Sequence, residues 1–336
     1  MFDCEEKTIQ LPDLIKSIPF PIRLNPYTRF VSADSDAFIL ESSNLTEEER
    51  FKFTGLNAGL LCGMAYSECG FEELRACTDF MGFLFNIDDW GEGSDSEGTK
   101  GLAEVVMNTL HYPETFRSDT VAARVTKSWW IKFLETISPN SKKRFIDAMH
   151  LYFKAITQQV TDRASMRVPE LAAYIHLRRK TSGCEMFFVL IEYAAHIDLP
   201  DEVYEHPLIQ GLMDITNDSI SWVNDIFSYS RECSLGDPHN IVCVLMKAFD
   251  LEQQAAIDYA ADMVTKTIER FLEIKAILPS WGPEVDAQVE VYVQGLGDWI
   301  IANAEWSFMT ERYFGKNASR VRKSLQVKLP PVVSLK

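Results

Sequence analysis

Two stretches of this chain, Phe71 to Asp89 and Leu208 to Phe227, are hydrophobic on nearly every face, and they narrow its fold more than any other feature. A helix with one apolar stripe can lie on a surface, whereas one that is apolar all round must be enclosed by other helices. Around these two, amphipathic or apolar stretches recur at 28–42, 46–67, 70–90, 99–111, 119–137, 140–163, 168–181, 184–196, 205–233, 240–246, 251–278, 284–303 and 306–314, punctuated by Pro, Gly, Asn and Asp. No segment alternates as a strand does, and no repeat of fixed period marks a solenoid. No Gly/Ser/Pro linker divides the middle. The expectation is an all-α, single-domain helical barrel or bundle with a central cavity. It would span residues 28–318, behind an irregular arm at 1–27 carrying Pro12, Pro19, Pro21 and Pro26, and ahead of a tail at 319–336.

Composition removes several function classes. With 336 residues the chain can bury a sizeable core, and its Lys+Arg of 33 against Asp+Glu of 49 leaves a net charge of −16. Such a surface repels phosphate backbones and anionic lipid, so no nucleic-acid partner is expected. The 7 cysteines include no CxxC pair, which fits a reducing compartment and neither a disulfide framework nor a zinc site. The opening MFDCEEKTIQ lacks the apolar core of a secretory signal, and no apolar run is long enough for a membrane span. A soluble, cytoplasmic protein is expected.

The first chemical anomaly is MGFLFNIDDWGEGSD, residues 81–95, where an apolar helix ends in acids. Negative charge at a helix carboxyl end opposes the macrodipole, so a cation should wait there. At the helical step of about 100° per residue, Asp88, Asp89 and Glu92 fall in one arc and can converge on a divalent ion such as Mg²⁺. The competing reading is a solvated turn. On the same helix Phe85 and Met81 sit within about 60° of that arc and should line a cavity below the metal, if they are not plain core. DEVYE at 201–205 also spells paired acids, but Pro200 precedes it and a helix begins there. Those acids read as amino-terminal capping.

The second anomaly is SWVNDIFSYSRECS, residues 221–234, in the other apolar helix. Asn224, Ser228 and Glu232 are spaced i, i+4, i+8 and stack an amide oxygen, a hydroxyl and a carboxylate on one face. Asp225 can brace that cation site, and Arg231 can grip an anion beside it. A solvent-facing polar stripe would be the bland alternative; the interleaved Ile220, Trp222, Val223, Ile226 and Phe227 argue against it.

Together, N-D-x-x-S-x-x-R-E at 224–232 and D-D-x-x-E at 88–92 resemble the two metal motifs of class I terpene synthases, in particular the microbial, fungal-type sesquiterpene cyclases. YIHLRRKTSG at 174–183 looks like the segment in which that family keeps a diphosphate-sensing Arg ahead of a helix-breaking Gly, here Gly183. WSFMTERY at 306–313 is similar to its carboxyl-terminal Arg-Tyr pair. FPIRLNPYTRFVSADSD at 20–36 and GDPHNIV at 236–242 also match, so the likeness spans roughly 20–315. Two departures are visible: Gly91 and Gly93 flank Glu92, and Ser182 stands where the family often has an acid.

The resemblance implies a class I terpenoid synthase-like fold, an isoprenyl diphosphate partner, and three Mg²⁺ ions that Mn²⁺ can replace. Asp88, with Asp89 or Glu92, would hold part of the cluster, and Asn224, Ser228 and Glu232 the rest. Arg179, Arg231, Arg312 and Tyr313 would bind the diphosphate; spacing does not separate Arg178 from Arg179, and Arg179, four residues before Gly183, is favoured. Adjacent arginines before a Gly are also ordinary helix carboxyl-end chemistry. Phe85 and Trp306 would offer π faces to a carbocation. No second Asp-rich motif stands where chain-elongating enzymes have one, which favours cyclisation or quenching over elongation, and the leading reading is cyclisation of farnesyl diphosphate to a sesquiterpene. Two alternatives remain at this level: acyclic or monoterpene products from geranyl or farnesyl diphosphate, and a non-catalytic helical binding protein. A monomer or a homodimer is expected.

Overall fold

A computed structural model of the chain describes residues 8–43, 45–92, 96–164 and 167–329, the side chains of 88–92 and 164 excepted. Its helices are α1 (Thr28–Ser42), α2 (Glu47–Gly55), α3 (Ala58–Ala65), α4 (Phe71–Glu92), α5 (Ser96–His111), α6 (Val121–Thr136), α7 (Pro139–Ala164) and α8 (Leu171–Thr181) in the first half. The second half holds α9 (Cys184–Ala195), α10 (Asp201–Tyr204), α11 (Pro207–Leu235), α12 (Ile241–Phe249), α13 (Gln253–Ala276), α14 (Pro283–Trp306), α15 (Glu311–Phe314) and α16 (Ala318–Ser324).

The two all-apolar stretches become the inner helices. α4 is enclosed by α1, α3, α6 and α9, and α11 by α8, α9, α12, α13 and α14. Phe80 of α4 anchors an aromatic cluster, its ring centroid 5.0 Å from Trp129 and Phe187 and 5.1 Å from Phe145, mostly edge-on or tilted. Each such pair adds about 0.5–1.5 kcal/mol beyond its buried area, enough to fix the lower half of α4 rigidly. The start of α11 is set by Pro207 in the first turn and by His206, whose Nδ1 accepts from the Leu208 N–H; Gly236 at φ +71° ends it. Arg144 ties the base of the bundle, donating to the buried Glu192 at 2.9 Å and to Asp201 at 2.6 Å. Asp201 in DEVYE sits in the first turn of α10, where its charge favours the helix dipole, but the carboxylate bonds Arg144 and the helix start has no side-chain cap bond.

Three expectations change. The stretch expected as one helix at 46–67 is two, broken at Leu56–Asn57 with Asn57 at φ +53°. The break has a use: Trp306 Nε1 donates to the carbonyls of Leu56 and Asn57 at 2.8 and 3.1 Å, and Asn57 Nδ2 donates to the Met309 carbonyl. The stretch at 306–314 is likewise not one helix, because α14 ends at Trp306 and a turn precedes α15. Finally, two short strands form where none was expected: Thr8–Gln10 (β1) pairs antiparallel with Gln326–Lys328 (β2), Ile9 opposite Val327. Three residues per strand give too little alternation to register as a pattern in sequence.

Candidate active site

α8, α11 and the α14–α15 corner meet at one polar cavity of about 110 Å³. Arg178, Asn224, Asp225, Glu232 and Arg312 line it, together with Thr181, Arg163 and His239. Its organising residue is Asn224. The Asn224 Oδ1 accepts from Arg178 Nη2 at 2.9 Å, and its Nδ2 donates to Tyr313 Oη at 2.6 Å, so one amide joins α8 to the carboxyl-terminal corner.

One residue on, Asp225 is saturated. It accepts from Tyr174 Oη, from Arg178 Nε at 3.0 Å and from the Ile241 N–H at 3.0 Å, which pins both α8 and the start of α12 to α11. Burial disfavours the Arg178 charge, but Asp225, Tyr174 and Glu232 outweigh that and raise its pKa further, keeping the guanidinium charged. Glu232 accepts from Asn240 Nδ2 at 2.9 Å, and Ser228 Oγ stands 3.4 Å from the Asp225 carbonyl on the same helix. Burial, then the nearby Asp225, push the Glu232 carboxyl above its usual value despite Asn240, Ser228 and Arg178. A carboxylate in that state lacks full counter-charge.

Asn224, Ser228 and Glu232 therefore fit a hard divalent cation: their donors are all oxygen, they keep unused lone pairs, and the one carboxylate among them is under-compensated. The side chains of Asp88, Asp89 and Glu92 lie outside the described residues; the backbone continues α4 through them. Among the described residues no three His, Cys, Asp or Glu side chains gather as a metal cluster.

The adjacent arginines separate cleanly. Arg179, favoured from sequence, faces away from the cavity and forks onto Asp218 at 2.8 and 2.7 Å, with a further bond to Asp214 at 2.6 Å. Arg178 takes the cavity wall. Gly183 sits at φ +76° between α8 and α9, and a Cβ there would lie 2.7 Å from Leu84 Cδ2, so the break admits only glycine without strain. Arg231 is exposed and is not among the residues lining the cavity.

Phe85 is half-buried, stacked on Trp306 at 5.6 Å between centroids, and carries the Arg312 guanidinium 5.1 Å above its ring. Met81 is buried in the core and does not line this cavity. Sequence reasoning passed over Tyr174, Arg163, His239 and Asn240. Tyr174 and Arg178 are four apart and thus share a helix face, a signal that was present.

A family model, terpene synthase family 2, C-terminal metal binding, matches residues 79–270. Sesquiterpene synthase 3 of Postia placenta is 63% identical over 329 residues, covering 98% of this chain and 90% of its own. Sesquiterpene synthase Agr1 of Cyclocybe aegerita is 43% identical over 325 residues, with 97% and 94% covered. Germacradien-4-ol synthase from Streptomyces citricolor, a crystal structure, superposes with a TM-score of 0.77 over 89% of this chain and 97% of that one at 22% identity, a likeness of fold. No helix among the described residues is long and apolar enough to cross a membrane. An all-α bundle with these relatives, matched over more than half its length by a metal-binding terpene synthase model, belongs to the terpene synthases and is a lyase of their fungal class I sesquiterpene synthase type.

Proposed function

We propose that this protein ionises farnesyl diphosphate with the help of Mg²⁺ and cyclises the resulting cation to a sesquiterpene. The observation that carries the reading is the convergence of Arg178 from α8, Asn224 and Glu232 from α11, and Arg312 from α15 on one polar cavity, with Tyr313 of α15 hydrogen-bonded to Asn224 behind that wall. Asn224, Ser228 and Glu232 would hold part of the metal cluster, with Asp88 and either Asp89 or Glu92 of α4 holding the rest; three ions, replaceable by Mn²⁺, is the number this reading takes. Bound there, Mg²⁺ supplies Lewis-acid neutralisation of diphosphate charge.

The residues themselves do the remaining work. Arg178 and Arg312 donate charge-assisted hydrogen bonds to diphosphate oxygens, which strengthen as the allylic C–O bond breaks and negative charge accumulates on the leaving group. Tyr313, held by Asn224, adds a hydroxyl from the carboxyl-terminal corner. Arg178 replaces Arg179 in this role, because Arg179 is consumed by Asp214 and Asp218. Phe85 and Trp306, already stacked, present aromatic surface where the cation forms, and Arg312 over the same ring places the anion-binding group next to the π face. The domain 28–318 is taken as the catalytic unit. Among the described residues every cysteine is free, which supports work in the reducing cytoplasm.

Incubation with geranyl, farnesyl and geranylgeranyl diphosphates plus Mg²⁺, followed by headspace analysis, tests the proposal. A cyclic C15 hydrocarbon or alcohol from farnesyl diphosphate is expected; turnover confined to another chain length would reject the substrate assignment.

A further inference from the structure

The cavity also holds two nitrogen donors for which the mechanism above has no use. Arg163 lies in the last turn of α7 and His239 in the loop between α11 and α12, and both line the same wall system as Arg178 and Arg312. Arg163 Nη2 donates to Asp237 Oδ2 at 2.8 Å, while its Nε is buried and has no hydrogen-bond partner among the described residues. The His239 side chain is 1% exposed. Its ring Nδ1 stands 3.6 Å from Asp237 Oδ1, beyond hydrogen-bond range, and Nε2 has no partner among the described residues.

A buried donor without an acceptor is costly and rare, and two on residues that line one polar cavity call for an acceptor that arrives with a ligand. Arg178 is different, since its Nε and Nη2 already have acceptors in Asp225 and Asn224 before any ligand arrives. Asp237 holds the other two donors in place: it takes Arg163 on one oxygen and the His239 backbone N–H on the other at 2.9 Å, so the loop after Gly236 is clamped onto α7. Burial would lift the Asp237 carboxyl, but His239 and the Arg163 charge hold it below its usual value, as befits a permanent anionic clamp.

We propose that Arg163 and His239 form a second donor wall for the diphosphate oxygens, positioned by Asp237. The proposal rests on the reading that this cavity receives a prenyl diphosphate. Arg163 would present Nε beside the nitrogen already shared with Asp237, the fork geometry that suits a phosphate edge; His239 would add a single ring N–H.

Inorganic pyrophosphate in the presence of Mg²⁺, titrated calorimetrically into the whole protein, is the probe. Arg163→Gln should weaken binding about tenfold or more, as loss of one charged hydrogen bond does, and Arg163→Lys, which keeps the charge and the Asp237 pair but lacks Nε, should weaken it less. His239→Leu should weaken it about threefold to tenfold, with His239→Gln restoring most of the loss because an amide N–H remains. Wild-type protein that ignores Mg²⁺ and pyrophosphate altogether would overturn the functional reading and this proposal with it. Wild-type binding that survives unchanged in Arg163→Gln, or in Arg163→Lys should the first variant not fold, would overturn this proposal alone.

Discussion

Gly183→Ala puts the link between fold and site under direct stress. The residue sits at φ +76°, where a Cβ costs about 1–2 kcal/mol in backbone strain. The new Cβ would also lie 2.7 Å from Leu84 Cδ2, and overpacking of that kind adds about 1–3 kcal/mol, toward the lower end because the obstacle is the tip of a side chain. Together these give a loss of about 2–4 kcal/mol. Unfolding entropy near 2.1 cal/mol/K per residue converts that, for a chain of 336 residues, to a fall in Tm of about 3–6 °C. Leu84→Ala in the same chain frees the space but not the dihedral, so the double variant should recover the steric part and the two changes should be non-additive by about 1–3 kcal/mol. Calorimetry on the four proteins measures this. Strict additivity, or a Gly183→Ala protein as stable as wild type, would refute the account of the α8–α9 break. Turnover should fall further than the folded fraction, since α8 carries Arg178 five residues upstream of the break.

Exchange of the two adjacent arginines separates their roles: Arg178→Lys should cut kcat by about a hundredfold, while Arg179→Lys should leave kcat within about threefold and lower Tm, read from steady-state kinetics with melting curves. Phe85→Leu removes both the Trp306 stack and the surface beneath Arg312, so its volatile products should shift toward acyclic or early-quenched species; an unchanged profile with a lower Tm would make Phe85 mere packing. Asp36 gives a pH test, because burial lifts its carboxyl from 3.8 to about 6. A carboxyl raised on folding binds protons more tightly in the folded state, so it costs stability above pH 6 and the cost fades as pH falls toward 4. Asp36→Asn should therefore raise Tm at pH 8 by about 1–2 °C, the full shift being discounted to about 1 kcal/mol for partial exposure, and change little at pH 4.

The inner helices were legible because an all-round apolar helix has only one place to go, and the Asn224, Ser228, Glu232 stripe because a spacing of four fixes a shared face. The side chosen by the arginines was not. Helix rotation of α8 is set by what waits on α11: Asp214 and Asp218, four apart, collect Arg179, while Tyr174 joins Arg178 on Asp225. Both spacings stand in the sequence, but nothing local says which α11 face α8 meets. The Asn57 break and the β1–β2 ribbon were hidden for a related reason, since their partners are Trp306 and the far end of the chain. Arg163 carries no motif, and His239 lies within GDPHNIV at 236–242 without a chemical role being legible there; their burial beside a polar cavity is what marks them.

The central claim is that this cavity breaks the C–O bond of a prenyl diphosphate only when its oxygen donors carry a divalent ion. Pyrophosphate release and C15 product formation, followed in the same reaction with farnesyl diphosphate, measure it directly. The account predicts one pyrophosphate per C15 product with Mg²⁺, loss of both on adding a chelator, and recovery on restoring Mg²⁺ or Mn²⁺. Undiminished pyrophosphate release and C15 product formation in chelator would contradict it.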